Sequence, residues 1–171
     1  MEVLHEPLIT SIASSAIRKI KDFAPQNLSN MSWSFAARSI AHSPLMDSIS
    51  ASFITKSSQA SSQDLANTAW AFSVLIFIDT PLLHSISAAA LPNIAAFGAQ
   101  GLSNTAWALA ILVFVDHPLM AAIARSSLDQ ISLFGPQEIS SLSWAFAKLL
   151  IENMPLFDAI SRSALRMLPQ L

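Results

Sequence analysis

Asn30, Asn67 and Asn104 place a carboxamide at a fixed step of 37 residues, and Ser141 takes the next place in the series. An amide both donates and accepts hydrogen bonds, so a regular row of them has the chemistry to read the edges of unpaired bases; helical-repeat RNA readers use two or three side chains per repeat in this way. Flanking positions complete a stripe of four residues per unit: Asn27, Asn30, Met31 and Ser34, then Asp64, Asn67, Thr68 and Ala71. Gly101, Asn104, Thr105 and Ala108 follow, then Glu138, Ser141, Leu142 and Ala145. Residues at these spacings share one edge of a helix. The candidate base contacts are therefore Asn27, Asn30, Met31, Asp64, Asn67, Thr68, Asn104, Thr105, Glu138 and Ser141. Arg38 and Lys148, late in the same segments, are candidate phosphate contacts. Two structural readings compete. The Asn27, Asp64 and Glu138 column lies in a first helical turn, where an acid complements the helix dipole. The asparagine column could equally be a ladder, each amide bonded to the backbone of the neighbouring repeat.

Catalytic chemistry finds no comparable arrangement. His5, His42, His84 and His117 fall mostly where helical segments start, and Asp79 and Asp116 replace His42 in later copies, so capping explains them better than proton transfer. The sequence contains no H-E-x-x-H, no G-x-x-x-x-G-K and no G-x-S-x-G. Without cysteine there is no disulfide, thiolate metal site or cysteine nucleophile. The expectation is a non-catalytic chain with no cofactor and no metal.

Charge argues against tight electrostatic binding of nucleic acid. Nine basic residues against 11 acidic ones give a net charge of −2, whereas phosphate contacts demand Lys and Arg. Arg18, Lys19 and Lys21 cluster near the start, and Arg125 and Arg162 share a column. A protein-interaction scaffold, or a piece of a larger repeat protein, stands beside RNA binding as an alternative, favoured by low charge and by apolar surface.

The elements that must position the stripe are announced by the same period. Trp33, Trp70, Trp107 and Trp144 lie 37 residues apart, inside a recurring phrase that runs Leu28 to Trp33, Leu65 to Trp70, Leu102 to Trp107 and Ile139 to Trp144. Pro7, Pro44, Pro81, Pro118 and Pro155, each followed by Leu, keep the same step. Such self-similarity marks a supersecondary unit that stacks on its copies. The expected units are a partial repeat at 1–22, full repeats at 23–59, 60–96 and 97–133, and a last repeat at 134–171. In each, a helix A runs from the Pro25, Ser62, Ala99 or Pro136 region to about Ile40, Phe77, Phe114 or Ile151. A helix B opens at the recurring proline, capped by residues such as Asp79 and Asp116. Strand alternation is absent, and connections of a few residues force antiparallel pairs. The fold class is all-α, a right-handed α-solenoid of antiparallel helix pairs in 37-residue repeats. Small neighbours such as Ala69, Ala71, Ala106 and Ala108 predict that each tryptophan is a buried wedge between units. Trp107→Ala would then cost about 3–5 kcal/mol.

Apolar residues reach 53% and charged ones only 12%, about half the globular norm of roughly 25%. Further repeats or a protein partner would cover such a surface. The longest apolar runs, Thr68–Ile78 and Thr105–Val115, fall short of the roughly 18 residues a spanning helix needs, so no membrane span is expected. Met1–Glu6 is acidic and already in repeat register, so no targeting segment is expected within this chain.

The phrase Pro-Gln-x-Leu-Ser/Ala-Asn-Thr-Ala-Trp-Ala, followed by Asp-x-Pro-Leu, resembles the helical repeats of the octotricopeptide and heptatricopeptide type. These occur in organellar RNA-processing proteins, including FAST-kinase-like leucine-rich relatives that often end in a RAP domain. The resemblance covers nearly the whole chain. It implies selective binding of single-stranded RNA in mitochondria or chloroplasts, in support of transcript processing, stability or translation. The chain departs from the pattern at Met31 and at Ser141-Leu142, and no RAP-like segment follows Leu171, so no effector activity is expected of it.

Overall fold

The computed structural model describes residues 6–168, and every regular element among them is helical. The α-helices among the described residues are α1 (Glu6–Lys19), α2 (Pro25–Ala37), α3 (Ser43–Ile54), α4 (Ser62–Val74), α5 (Thr80–Ala90), α6 (Ala99–Ile111), α7 (His117–Gln130), α8 (Pro136–Lys148) and α9 (Met154–Met167). Short 3-10 turns lead from each of α1, α3, α5 and α7 into the helix that follows. The helices sort into two rows. The even helices pack in succession along their lengths, α2 on α4, α4 on α6 and α6 on α8. In the odd row α1 meets α3, α3 meets α5 and α7 meets α9, while the turn at Leu91–Ala96 touches both α5 and α7.

Local chemistry sets each helix start. Ahead of the recurring proline, His42, Asp79, Asp116 and Asn153 accept the backbone N–H of Leu45, Leu82, Leu119 and Leu156 at 3.2, 2.9, 2.9 and 3.1 Å. These bonds satisfy donors that a helix cannot pair internally, and the proline two residues after each cap gives up an N–H that had no partner. His42 and Asp79 thus do the same work at the starts of α3 and α5, as the sequence column suggested; His5 lies outside the described residues. His84 is a mid-helix residue of α5, its ring set edge-on to Phe114 at 4.9 Å.

The even helices end sooner than expected, at Ala37, Val74, Ile111 and Lys148. Two residues beyond each end, Ser39, Ile76, Val113 and Leu150 turn left-handed, with φ of 53, 51, 52 and 55°. The next residue then bonds back over five positions, as in Ile40 N–H to Phe35 O at 2.9 Å and Phe114 N–H to Leu109 O at 2.9 Å. This is a Schellman ending, a place that glycine usually takes. The apolar pattern runs on through the turn with no glycine or proline to mark the stop.

Exposure at the two ends of the even row shows which way each column faces. Ser29, Ala66 and Ser103 are buried but their counterpart Ser140 on α8 is exposed; Ala36, Ser73 and Ala110 are buried but Ala147 is exposed. Those columns face the following helix. Thr68, Thr105 and Leu142 are buried while Met31 on α2 is half-buried, and Ala71, Ala108 and Ala145 are buried while Ser34 is exposed. Those columns face the preceding helix. Each filled seam is therefore Ser, Ala or Thr against residues of similar size, with Leu142 as the exception. Leu28, Leu65, Leu102 and Phe35, Phe72, Leu109 and Phe146 point instead into the core shared with the odd row.

Polar side chains tie successive odd helices together. Ser50 of α3 donates to the Asp79 carboxylate at 2.5 Å and Ser87 of α5 to Asp116 at 2.6 Å, each aspartate also capping its own helix. Lys56 Nζ reaches back to the carbonyls of Lys21 and Phe23, and Gln130 Nε2 to that of Phe97. Asp79→Ala removes the cap and leaves the buried Ser50 hydroxyl without its acceptor. We expect it to cost about 2–3 kcal/mol in urea unfolding, with Asp79→Asn recovering most of the loss. Val113→Gly should move the other way. A β-branched residue at positive φ is strained by about 1–3 kcal/mol, which outweighs the chain entropy glycine adds. We expect a gain of about 1 kcal/mol, seen as a rise of about 2–4 °C in Tm.

Candidate nucleic-acid interface

The face of the even row turned away from the odd helices carries the asparagine column. Asn30 is exposed, and Asn67, Asn104 and Ser141 are half-buried. Among the described residues none of the three asparagine amides hydrogen-bonds to protein, so the ladder alternative has no bonds to support it. Asn67 and Asn104 instead line one cleft of about 200 Å³ between α4 and α6, together with Ser62, Gln63 and Gln100. Asn27, Asn30, Met31 and Ser34 border a shallower depression of about 400 Å³ on α2.

Other candidate contacts have structural duties. Asn27 Oδ1 and Glu138 Oε2 accept the backbone N–H of Ala24 and Gly135, each at 3.0 Å. Asp64 forms a reciprocal capping box with Ser61, accepting its N–H at 3.0 Å while the Ser61 hydroxyl accepts the Asp64 N–H at 3.2 Å. The first-turn column is thus engaged in helix capping, and Asp64 is buried there. Thr68 and Thr105 are a correction: both side chains are fully buried in the seams, Thr105 bonded to the Gly101 carbonyl at 2.8 Å and Thr68 with no partner. A side chain closed off by the preceding helix cannot reach a ligand on the open face. Met31 occupies the same column at the end of the row and is half-buried for want of a preceding helix. Arg38 follows α2 and Lys148 ends α8, both exposed, at opposite ends of the row.

The tryptophans overturn the wedge expectation. Trp33 and Trp144 are 47% and 42% exposed, and Trp70 and Trp107 are half-buried. The seams are lined with residues too small to leave room for an indole, so the rings are held at the rim, on the side where the amides lie. There they pair: Trp33 with Trp70 at 6.4 Å between centroids and 31° between planes, Trp107 with Trp144 at 6.5 Å and 38°. The signal was in the spacing, because each tryptophan follows its column-mate Asn30, Asn67, Asn104 or Ser141 by three residues, one turn along the same face.

A second exposed feature follows from the early helix ends. Ile76, Ile78, Val113, Val115, Leu150 and Met154 stand out at successive turns, Leu150 with 89% of its surface in solvent. No group of three or more metal-ligating side chains occurs among the described residues, and no helix there is long and apolar enough to cross a membrane.

Among the described residues the fold is all-α, with uncharged amides and indoles in a row along one face and no enclosed pocket among those bordering that row, which defines a class: a helical module with an extended open surface. The family model of the RNA-editing substrate-binding complex 6 protein matches residues 1–154, and the chain belongs to that RNA-associated family. The match takes in α1 to α8 and with them the whole even row. Among curated proteins none matches the chain.

Removing a rim indole should cost far less than removing a core leucine. We expect Trp107→Ala to lower the unfolding free energy by about 1–2 kcal/mol, and Leu102→Ala, which is fully buried, by about 2–5 kcal/mol. Equal losses in chemical denaturation would return the indole to the core.

Proposed function

We propose that this chain is a non-catalytic RNA-binding module of an RNA-editing substrate-binding assembly, a right-handed α-solenoid of antiparallel helix pairs whose even helices form the binding face. The observation that carries the reading is the pair of unbonded amides, Asn67 and Asn104, opening into one cleft. Neither amide is engaged by protein and both reach solvent, so their donors and acceptors are open to a ligand that can match them. The base-contacting set is then Asn30, Asn67, Asn104 and Ser141, with Arg38 and Lys148 beside the strand's phosphates. The repeats are the 37-residue units at 23–59, 60–96, 97–133 and 134–171. Finer kinship with octotricopeptide and heptatricopeptide proteins rests on the Asn-Thr-Ala-Trp phrase, and a mitochondrial setting follows from the family's part in RNA editing.

At one base per repeat the row addresses about four nucleotides. Further repeats or a partner would extend it, since the outer faces of α2 and α8 expose the same small columns, at Ser34 and at Ser140 and Ala147, that fill the inner seams. A second reading, docking of a protein partner, is favoured by the apolar ridge at Ile76, Val113 and Leu150.

Fluorescence anisotropy with labelled single-stranded RNA tests the first reading. The Asn67→Ala, Asn104→Ala double variant should bind about 10- to 100-fold more weakly at unchanged Tm, two hydrogen bonds being worth about 0.5–1.5 kcal/mol each. With two basic residues beside the strand, log Kd should change with log salt at a slope of only about 1.4 in magnitude. Wild-type affinity in the double variant would move the binding site elsewhere.

A further inference from the structure

We propose that Trp33, Trp70, Trp107 and Trp144 are stacking platforms for unpaired bases, each addressed at its edge by the Asn or Ser one helical turn earlier. The inference rests on the RNA reading above and deepens it by naming what holds the strand. Three observations converge. The indoles share the open face with the amide column, at a spacing of three residues that puts each pair side by side on its helix. Trp33 and Trp144 keep nearly half of their surface in solvent, although each is among the largest apolar side chains of the protein. And the face is poor in positive charge, with Arg38 and Lys148 its flanking cations, so a strand lying on it must be held mainly by contacts other than those to phosphate. Base–aromatic stacking is the sequence-tolerant contact that meets this need.

The pairing of the rings adds a layout. Trp33 with Trp70 and Trp107 with Trp144 form two doublets, whereas Trp70 and Trp107 share no ring contact among the described residues. The interval between the doublets falls at the junction of α4 and α6, where the cleft lined by Asn67 and Asn104 opens. A strand following the row therefore meets an aromatic doublet, then the two amides, then a second doublet. Bases seated against Trp70 and Trp107 have their edges nearest Asn67 and Asn104, so discrimination is concentrated at the centre of the site and the outer indoles supply affinity.

The test uses the full chain with three labelled octamers, oligo-A, oligo-U and an abasic sugar-phosphate strand of equal length. Anisotropy gives Kd, and the protein's own tryptophan emission reports on the rings. The expected result is quenching of emission by oligo-A that saturates with the Kd seen by anisotropy, and binding of the abasic strand at least tenfold weaker. Trp70→Leu and Trp107→Leu should each weaken oligo-A binding about 5- to 100-fold, while the Phe variants, which keep an aromatic face, stay within about threefold of wild type. Binding of the abasic strand as tight as that of oligo-A overturns the proposal without recourse to any variant. Leu variants that bind as well as wild type, alongside a weakened Asn67→Ala, Asn104→Ala double variant, overturn the stacking role and leave the RNA reading intact. No binding of any octamer to the wild-type chain at low salt overturns both.

Discussion

The close approach of neighbouring even helices governs the rest of this structure. Ser29, Ala36, Ala66, Ser73, Ser103 and Ala110 on one side of each seam meet Thr68, Ala71, Thr105, Ala108, Leu142 and Ala145 on the other, and all are buried. Small side chains let helix axes come near the short end of the usual 8–10 Å range. That closeness fixes the register of the row, because a displaced helix would have to bring Phe35 or Leu28 out of the core or force a larger side chain into a seam that has no room for it. It also decides what lies outside. An indole cannot enter such a seam, so the tryptophans are left on the rim, and the amides one turn away are carried to the same surface. The face of amides and indoles is a by-product of how the seams are packed.

Much of this was legible in the residues, and the reasons for the misses are physical. The helix starts and the caps could be read directly, since an N-cap aspartate with proline two residues on is a local device that depends on nothing distant. Asp79 and Asp116 behave as their position in sequence suggested. Their bonds to Ser50 and Ser87 were not foreseeable, because those partners lie on another helix whose rotation is set only on packing. The tryptophans were misplaced for a related reason. Small residues beside a large one suggest a socket, but here alanines 69, 71, 106 and 108 face core or seam while the indoles between them point outward. Apolar character on two sides of a helix tells that two neighbours exist; it does not tell which large residue stays at the edge. Thr68 and Thr105 went astray with the same rotation, sharing an edge with the asparagines by spacing yet turned by 100° into the preceding helix.

The helix ends show a conflict between local and global preference. Ile76, Val113 and Leu150 adopt a left-handed conformation that favours glycine, and do so with their side chains largely in solvent. Neither burial nor backbone preference accounts for apolar residues at these positions. Strain that persists at the same place after each even helix marks a site that packing alone does not explain.

Charge sets the terms on which the amide face can work. A phosphate-binding groove gathers its ligand from a distance but holds every sequence alike, and its grip falls away as salt rises. On the RNA reading, a face of amides and indoles forgoes long-range attraction, and its contacts act only when bases are splayed out and seated. Such a surface suits a ligand delivered to it within an assembly better than one captured from solution. The acidic groups nearest the row, Asp64 and Glu138, are turned into helix caps, which keeps their negative charge on backbone N–H groups and away from a strand. On the RNA reading, Asp64→Asn or Glu138→Gln keeps an acceptor for the helix start and eases the approach of phosphate, so we expect a Tm within about 2 °C of wild type together with tighter RNA binding in anisotropy.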